Sequence, residues 1–161
     1  MNECDPKKCT ALKLARHGVV RLVRRIPTRA VVLNPFSEVA FSPADRGVVE
    51  RWGLVVVDCS WKNADSVFRK IRHGRCLPFL IAANPINYGH VGKLSSAEAL
   101  AAALYIIGYR EEAKRVLSLF KWGPHFFELN REYLEAYANA SSSEEVVGVQ
   151  KRLMGLRGYS L

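Results

Sequence analysis

The stretch LVVVDCSW, residues 54–61, sets an acid, a thiol, a hydroxyl and an indole directly after an apolar run. A strand that only fills a core ends in ordinary turn residues, whereas one that feeds a cleft ends in groups able to hold a ligand. Asp58 is the candidate for chemistry, because a carboxyl group can remove a proton from a bound molecule or orient it. The plainer alternatives are that Asp58 or Ser60 caps a helix beginning near Asn63, and that Trp61 packs into the core.

Three further stretches point at the same place. LNPFS, residues 33–37, closes another apolar run. LPFLIAANPINYG, residues 77–89, closes a third with Asn84, Asn87 and Tyr88. KLSSAEA, residues 93–99, places a helix start just beyond, where free N–H groups and the helix dipole favour an anion. Asn84–Pro85 can also simply mark a turn, Ser95 and Ser96 can be ordinary caps, and Tyr88 can be a surface ring. His17, His73, His90 and His125 have no carboxylate or cysteine partner at catalytic spacing. The chain carries no Gly-rich phosphate loop, no Gly-x-Ser-x-Gly elbow and no His-Glu-x-x-His helix.

The elements that must position these residues follow from hydrophobic patterning. Ala30–Leu33, Leu54–Val57 and Leu77–Ala82 are nearly continuous apolar runs, as expected for strands covered on both faces; Val19–Val23 is a weaker fourth. Helical spacing covers Cys9–His17, Pro43–Trp52 and Asn63–Arg72. Strand alternating with helix predicts a mainly parallel sheet, with ligands at the carboxyl ends of its strands. Beyond residue 94 the chain turns almost wholly helical. Ser95 with Glu98 reads as a capping box, Gly108 as a C-terminal stop and Pro124 as a helix start. The fold class is therefore α/β, an α/β N-terminal half followed by a mostly helical C-terminal half.

With 161 residues and 49% hydrophobic content the chain suits one compact domain or two small halves sharing a core. The polar start MNECDPKKCT is no secretory signal, and the longest apolar stretch is broken by Pro78, Asn84, Pro85 and Asn87. A soluble, cytoplasmic protein is expected. Cys4, Cys9, Cys59 and Cys76 are too irregularly spaced for a disulfide framework, and His17 is the sole nearby third ligand for Cys4 and Cys9, so no metal is expected. The net charge of +9 is concentrated, with +6 in residues 1–29 and +4 in residues 62–75. Such clustering fits a polyanion partner, since neutralised phosphates release counterions; a solvated basic face is the plainer reading.

Taken in order, CDPKKCTALKL, NPFSEVAFSPAD, VVDCSWKNA, RCLPFLIAANPINYGHVGKLSSAEALAAALYIIGY and FKWGPHFFELNREYLEAYANA resemble the aminocarboxypropyltransferases of small-subunit ribosomal RNA. The resemblance runs from Cys4 to Ala140. It implies a SPOUT-like fold with a C-terminal trefoil knot, divided into an α/β part (1–76) and a mainly helical part (77–161). It implies S-adenosylmethionine as donor and N3 of an N1-methylpseudouridine or uridine in small-subunit rRNA as acceptor, with methylthioadenosine released. Acidic tails found in some eukaryotic members are absent, so the chain looks like a minimal, archaeal-type form. The first residues, with Cys4 and Cys9, also resemble the start of a ribosome-recycling ATPase, where a metal-binding segment carries more thiols than the two present here.

Under that resemblance, Trp61 and Ala64 wall off the donor's methyl group. Leu33, Pro35 and Leu77 form an apolar slot for adenine, and the backbone at Val57 holds the ribose. The backbone from Leu80 to Asn84 helps close the cleft, which also takes in Tyr88. N–H groups at Thr10 and Ser96 receive the donor carboxylate. Asp58 is the base or the orienting group. Lys7, Lys8, Lys62, Arg69, Arg72 and Lys93 are the candidates for phosphate contacts within a pre-ribosomal particle. No helical face demands a second copy, so a monomer is expected. The rival readings are a SPOUT-type methyltransferase using the same donor in the opposite posture, and a non-catalytic rRNA-binding assembly factor.

Overall fold

The computed structural model describes residues 9–58, 64–71 and 73–158. Val31–Leu33 (β1), Leu54–Val56 (β2) and Gly74–Arg75 (β3) form a parallel sheet in the order β2-β1-β3. β1 pairs with β2 from Val31↔Leu54 to Leu33↔Val56, and with β3 through Val32↔Gly74 and Leu33↔Arg75. Every residue of this central strand is buried, which is why its sequence is continuously apolar. A 3-10 turn at Pro43–Asp45 and the helix α2 (Arg46–Trp52) lie between β1 and β2 in the chain, and α3 (Ala64–Phe68) lies between β2 and β3. α1 (Thr10–Arg16) precedes the sheet.

The second half is helical: α4 (Ser96–Ile106), α5 (Arg110–Leu117), α6 (Gly123–Ala138) and α7 (Ser143–Leu156). α4 is the hub. Its Ala97, Ala101, Ala102 and Ala103 are fully buried, and their small side chains let α1, α5 and α6 pack close around it. The Ser95–Glu98 capping box forms as the sequence predicts, with Ser95 Oγ accepting from the Glu98 N–H at 3.2 Å and Glu98 Oε1 accepting from the Ser95 N–H at 3.0 Å. Gly108, at φ +97°, stops the helix where expected. One buried cluster runs from Leu14 through β1 and α4 to Met154, so both halves share a core.

Where α6 begins, Gly123 lies directly against the Leu117 carbonyl, and a methyl group there would overlap that oxygen. Gly123→Ala is therefore expected to cost about 1–3 kcal/mol, the usual penalty for overfilling a packed site. The midpoint of urea unfolding should fall with its slope unchanged; an unmoved midpoint would show that the helix start yields freely.

Two sequence expectations fail. Val19–Val23 is not a strand: the Val19 N–H closes the end of α1 on the Leu14 carbonyl, and Leu22 and Val23 are exposed. Leu77–Ala82 is not the third strand either; that place is taken by Gly74–Arg75, extended by a single bridge between Cys76 and Ala40. The apolar run behind it is buried, but its backbone is satisfied by helix side chains. Gln150 Oε1 accepts from the Phe79 N–H at 2.9 Å, and the Tyr137 hydroxyl donates to the Phe79 carbonyl at 2.9 Å. Asn130 grips Ile81 at both ends, accepting from its N–H at 2.7 Å and donating to its carbonyl at 2.8 Å. Burial, and then the charge of any neighbouring phenolate at Tyr133, drive the Tyr137 hydroxyl far above the ordinary phenol range, so it stays a donor.

Candidate active site

The carboxyl ends of β1 and β2, the segment after β3 and the N-termini of α1 and α4 surround a cavity of about 840 Å³. That lies within the roughly 300–1,000 Å³ of small-molecule sites. Leu33, Pro35, Val56, Val57, Phe68 and Leu77 supply apolar wall, while Asp58, Asn84 and Ser96 bring polar groups to it.

Two helix starts converge here. Thr10 and Ser96 both line the cavity, and the Thr10 hydroxyl accepts from the Ala97 N–H at 3.2 Å, fastening the first turn of α1 to that of α4. The potential between such termini is positive, and a carboxylate or phosphate is the natural occupant. Asp58 ends the described part of its segment on the cavity wall, and its Oδ2 accepts from the Cys9 thiol at 3.4 Å. The Asn84 amide is spent on the frame. Its nitrogen donates to Glu98 Oε1 at 2.6 Å and to the Lys93 carbonyl at 3.3 Å, and its oxygen accepts from the Asn87 N–H at 3.0 Å. Cys76 also faces the cavity, and burial pushes its thiol above the usual range. It is protonated at neutral pH and a poor nucleophile.

Of the donor-site residues expected from sequence, Thr10, Leu33, Pro35, Val57, Asp58, Leu77, Asn84 and Ser96 all stand on the wall of this one cavity. Two do not. Leu80 is fully buried in the core behind it, because the segment expected to be a strand edge runs under the helices. Tyr88 stands outside the wall, its ring stacked on His125. Trp61 and the side chain of Ala64 lie outside the described residues, as do Lys7, Lys8, Lys62 and Arg72. Arg69 is exposed but paired with Asp65 at 2.8 Å, while Lys93 is exposed with no acidic partner among the described residues.

Sequence reasoning missed Cys9, Lys13, Phe120 and Trp122 as wall residues. Lys13 follows Thr10 by one helical turn, a spacing that puts both on one face. Its ammonium sits 4.9 Å from the Phe120 ring centre, and Phe120 packs on Trp122 with centroids 4.9 Å apart. The FKW stretch carried the signal in its two aromatic residues. Exposed Arg16, Arg21, Arg24, Arg25 and Arg29 likewise have no acidic partner among the described residues. Among those residues no group of His, Cys, Asp and Glu is placed to hold a metal, and no helix is long and apolar enough to cross a membrane.

A small α/β protein with an apolar, polar-tipped cleft at the carboxyl ends of parallel strands, closed by two helix N-termini, belongs to the ligand-binding class of such folds. Comparison with known proteins narrows this. The family model for the C-terminal part of ribosome biogenesis proteins matches residues 31–154, and that for a possible Fer4-like domain in RNase L inhibitor matches residues 2–25. The 16S rRNA aminocarboxypropyltransferase of Methanothermobacter thermautotrophicus is 54% identical over 159 residues, spanning 95% of this chain and 94% of that protein. The protein of the same name from Methanopyrus kandleri is 55% identical over 159 residues, spanning 94% of each. The solved structure of the SAM-dependent rRNA:acp-transferase Tsr3 from Vulcanisaeta distributa superposes with a TM-score of 0.87 at 43% identity, covering 99% of this chain and 86% of that one. The chain belongs to the small-subunit rRNA aminocarboxypropyltransferase family.

Proposed function

We propose that this protein transfers the 3-amino-3-carboxypropyl group of S-adenosylmethionine to N3 of a uridine or (N1-methyl)pseudouridine in small-subunit rRNA, with release of methylthioadenosine, as a step in ribosome biogenesis. The observation that carries the reading is the cavity itself. An apolar slot, an acid and two helix N-termini meet in one space of suitable size, and the relatives named above act on rRNA.

The residues present fit the donor. Bound there, S-adenosylmethionine supplies a sulfonium-activated carbon chain. Leu33, Pro35 and Leu77 offer an apolar surface for adenine, and backbone groups at Val57 lie beside it for the ribose. The N–H groups of Thr10 and Ser96 receive the carboxylate. Trp61 and Ala64 cover the methyl group, so that the longer carbon chain faces the acceptor. Orientation of this kind can be worth roughly 7–11 kcal/mol of barrier. Asp58 takes the N3 proton or fixes the ring, and Cys9 holds its carboxyl toward the cavity. Lys93 and the unpaired arginines of the N-terminal segment contact phosphate.

The same reading extends to the fold and setting: a SPOUT-like chain with a C-terminal trefoil knot, parts 1–76 and 77–161, acting as a cytoplasmic monomer on a pre-ribosomal particle. The buried passage of Leu77–Ala82, held by Asn130, Tyr137 and Gln150, supports a threaded chain.

Incubating the protein with donor and small-subunit rRNA that lacks the aminocarboxypropyl group, then analysing nucleosides by mass spectrometry, tests the proposal. An aminocarboxypropyl adduct with methylthioadenosine as by-product is expected. A methylated base with S-adenosylhomocysteine would overturn it, and so would donor that fails to bind in calorimetry.

A further inference from the structure

Beside the cleft stands a lip of unusual make. From Ala82 to Gly92 the chain folds back on itself. The Ala82 N–H donates to the His90 carbonyl at 2.9 Å, the Gly89 N–H to the Ala82 carbonyl at 2.8 Å, and the Gly92 N–H to the Leu80 carbonyl at 3.0 Å. Gly89, at φ +80°, makes the reversal without strain. The loop base is fixed further by Asn84, which accepts from the Asn87 N–H and donates to the buried Glu98. On this fixed frame Ile86 is 70% exposed and Tyr88 58% exposed. Large apolar side chains held rigidly in water are costly unless a partner covers them.

The Tyr88 ring does not stand alone. It stacks on His125 at the start of α6, with the planes within 8° and the centroids 5.8 Å apart, and its hydroxyl lies 2.9 Å from His125 Nε2. His125 Nδ1 faces Glu128 Oε2 at 3.3 Å. In the Nδ1–H tautomer the imidazole donates to Glu128 and accepts from Tyr88, so two elements distant in sequence lock one flat, amphipathic surface. Pro85, Ile86 and Asn87 of the same loop line the donor cavity. The platform is thus continuous with the cleft mouth. Glu128 is bound to the histidine, and exposed Lys93 and Lys121 flank its two elements in the chain.

We infer that this lip is a stacking platform for an unpaired nucleobase next to the acceptor, with Tyr88 and Ile86 meeting the base faces on the rRNA side of the cleft. A flat, exposed aromatic surface is the chemistry that stacks single-stranded bases, and each stack is worth a sizeable loss on alanine substitution. The inference rests on the rRNA reading above. It moves Tyr88 from the donor to the acceptor and makes lip and cleft one surface with two occupants.

The test uses hairpins of small-subunit rRNA carrying 2-aminopurine at successive loop positions, with the full chain and its Tyr88→Ala, Tyr88→Phe and His125→Ala variants. Parental protein should alter the fluorescence at one position by stacking. Tyr88→Ala should abolish that change and weaken RNA binding about tenfold or more, with donor affinity measured by calorimetry unchanged. Tyr88→Phe, which keeps the ring, should stay close to parental, and His125→Ala should lose affinity in the same direction as Tyr88→Ala. Parental RNA affinity in Tyr88→Ala would overturn the inference; so would a loss of donor affinity with RNA binding intact, which returns the ring to the donor. If stacking is lost in Tyr88→Ala yet parental protein releases no methylthioadenosine, the platform stands and the transfer reading falls.

Discussion

Asp58→Ala slows transfer by about 10²–10⁴-fold, the span usual for loss of a positioned base, while donor affinity stays within a few-fold of parental. The reasoning starts from the acceptor. N3 of a uracil-like ring is protonated near neutral pH, and a new N–C bond cannot form until that proton leaves. Asp58 is the only acid among the described cavity-lining residues, and the Cys9 thiol donates to its Oδ2 at 3.4 Å, which fixes the direction of the carboxyl. In the proposed pose the apolar contacts to adenine and the N–H groups of Thr10 and Ser96 do not involve it, so the donor should stay in place. Methylthioadenosine release under single-turnover conditions gives the rate, and calorimetry gives the affinity. Asp58→Asn separates shape from proton transfer: it keeps the size and an acceptor for Cys9 but cannot take a proton, and should be nearly as slow. Parental turnover in either variant would remove Asp58 from the chemistry. A large fall in donor affinity at parental turnover would make it a donor ligand instead.

Glu98→Ala strikes the frame rather than the chemistry, and unfolds the protein at much lower denaturant. Glu98 is fully buried and its carboxylate serves three donors. It accepts from the Ala83 N–H at 2.7 Å, from the Asn84 amide at 2.6 Å and from the Ser95 N–H at 3.0 Å. Truncation leaves the Ala83 and Ser95 N–H groups and half of the Asn84 amide without their acceptor. At ~1–3 kcal/mol for each unsatisfied donor, three donors give about 3–9 kcal/mol, and the lower part of that span, about 3–5 kcal/mol, matches the breaking of a buried ion pair. For a chain of this size that lowers the melting temperature by roughly 10 °C. Because the same carboxylate joins the cap of α4 to the root of the lip, donor affinity should fall as well, even in the folded fraction. Glu98→Gln keeps one acceptor oxygen and should cost less. Unchanged thermal stability in Glu98→Ala would mean that water enters and replaces the carboxylate.

Much of this was legible in the residues. β1 and β2 declare themselves as continuous apolar runs, β1 wholly buried and β2 half-buried, and the Ser95–Glu98 cap can be read from spacing alone. The parts of the cleft visible in advance were those local to an element end, namely Asp58 after β2, Leu33 at the end of β1 with Pro35 after it, and Ser96 at the start of α4. What stayed hidden depends on distant partners. Leu77–Ala82 is as apolar as any strand, and nothing within it reveals that Asn130, Tyr137 and Gln150 will satisfy its backbone in place of a neighbouring strand. Gly74–Arg75 is too short and too polar to announce itself, and pairs with β1 because Gly74 lets the backbone settle against Asn34. The Tyr88–His125 stack joins two residues whose proximity exists only once α6 has packed.

The walls of the donor cavity come from the beginning, the middle and the far side of the chain, from Cys9 to Trp122. A nascent polypeptide still missing α5 and the turn after it therefore has no finished cleft, and cannot sequester metabolite while it is being made. With the donor bound as proposed, each occupied molecule is protected against unfolding by mass action, so added donor should raise the melting temperature.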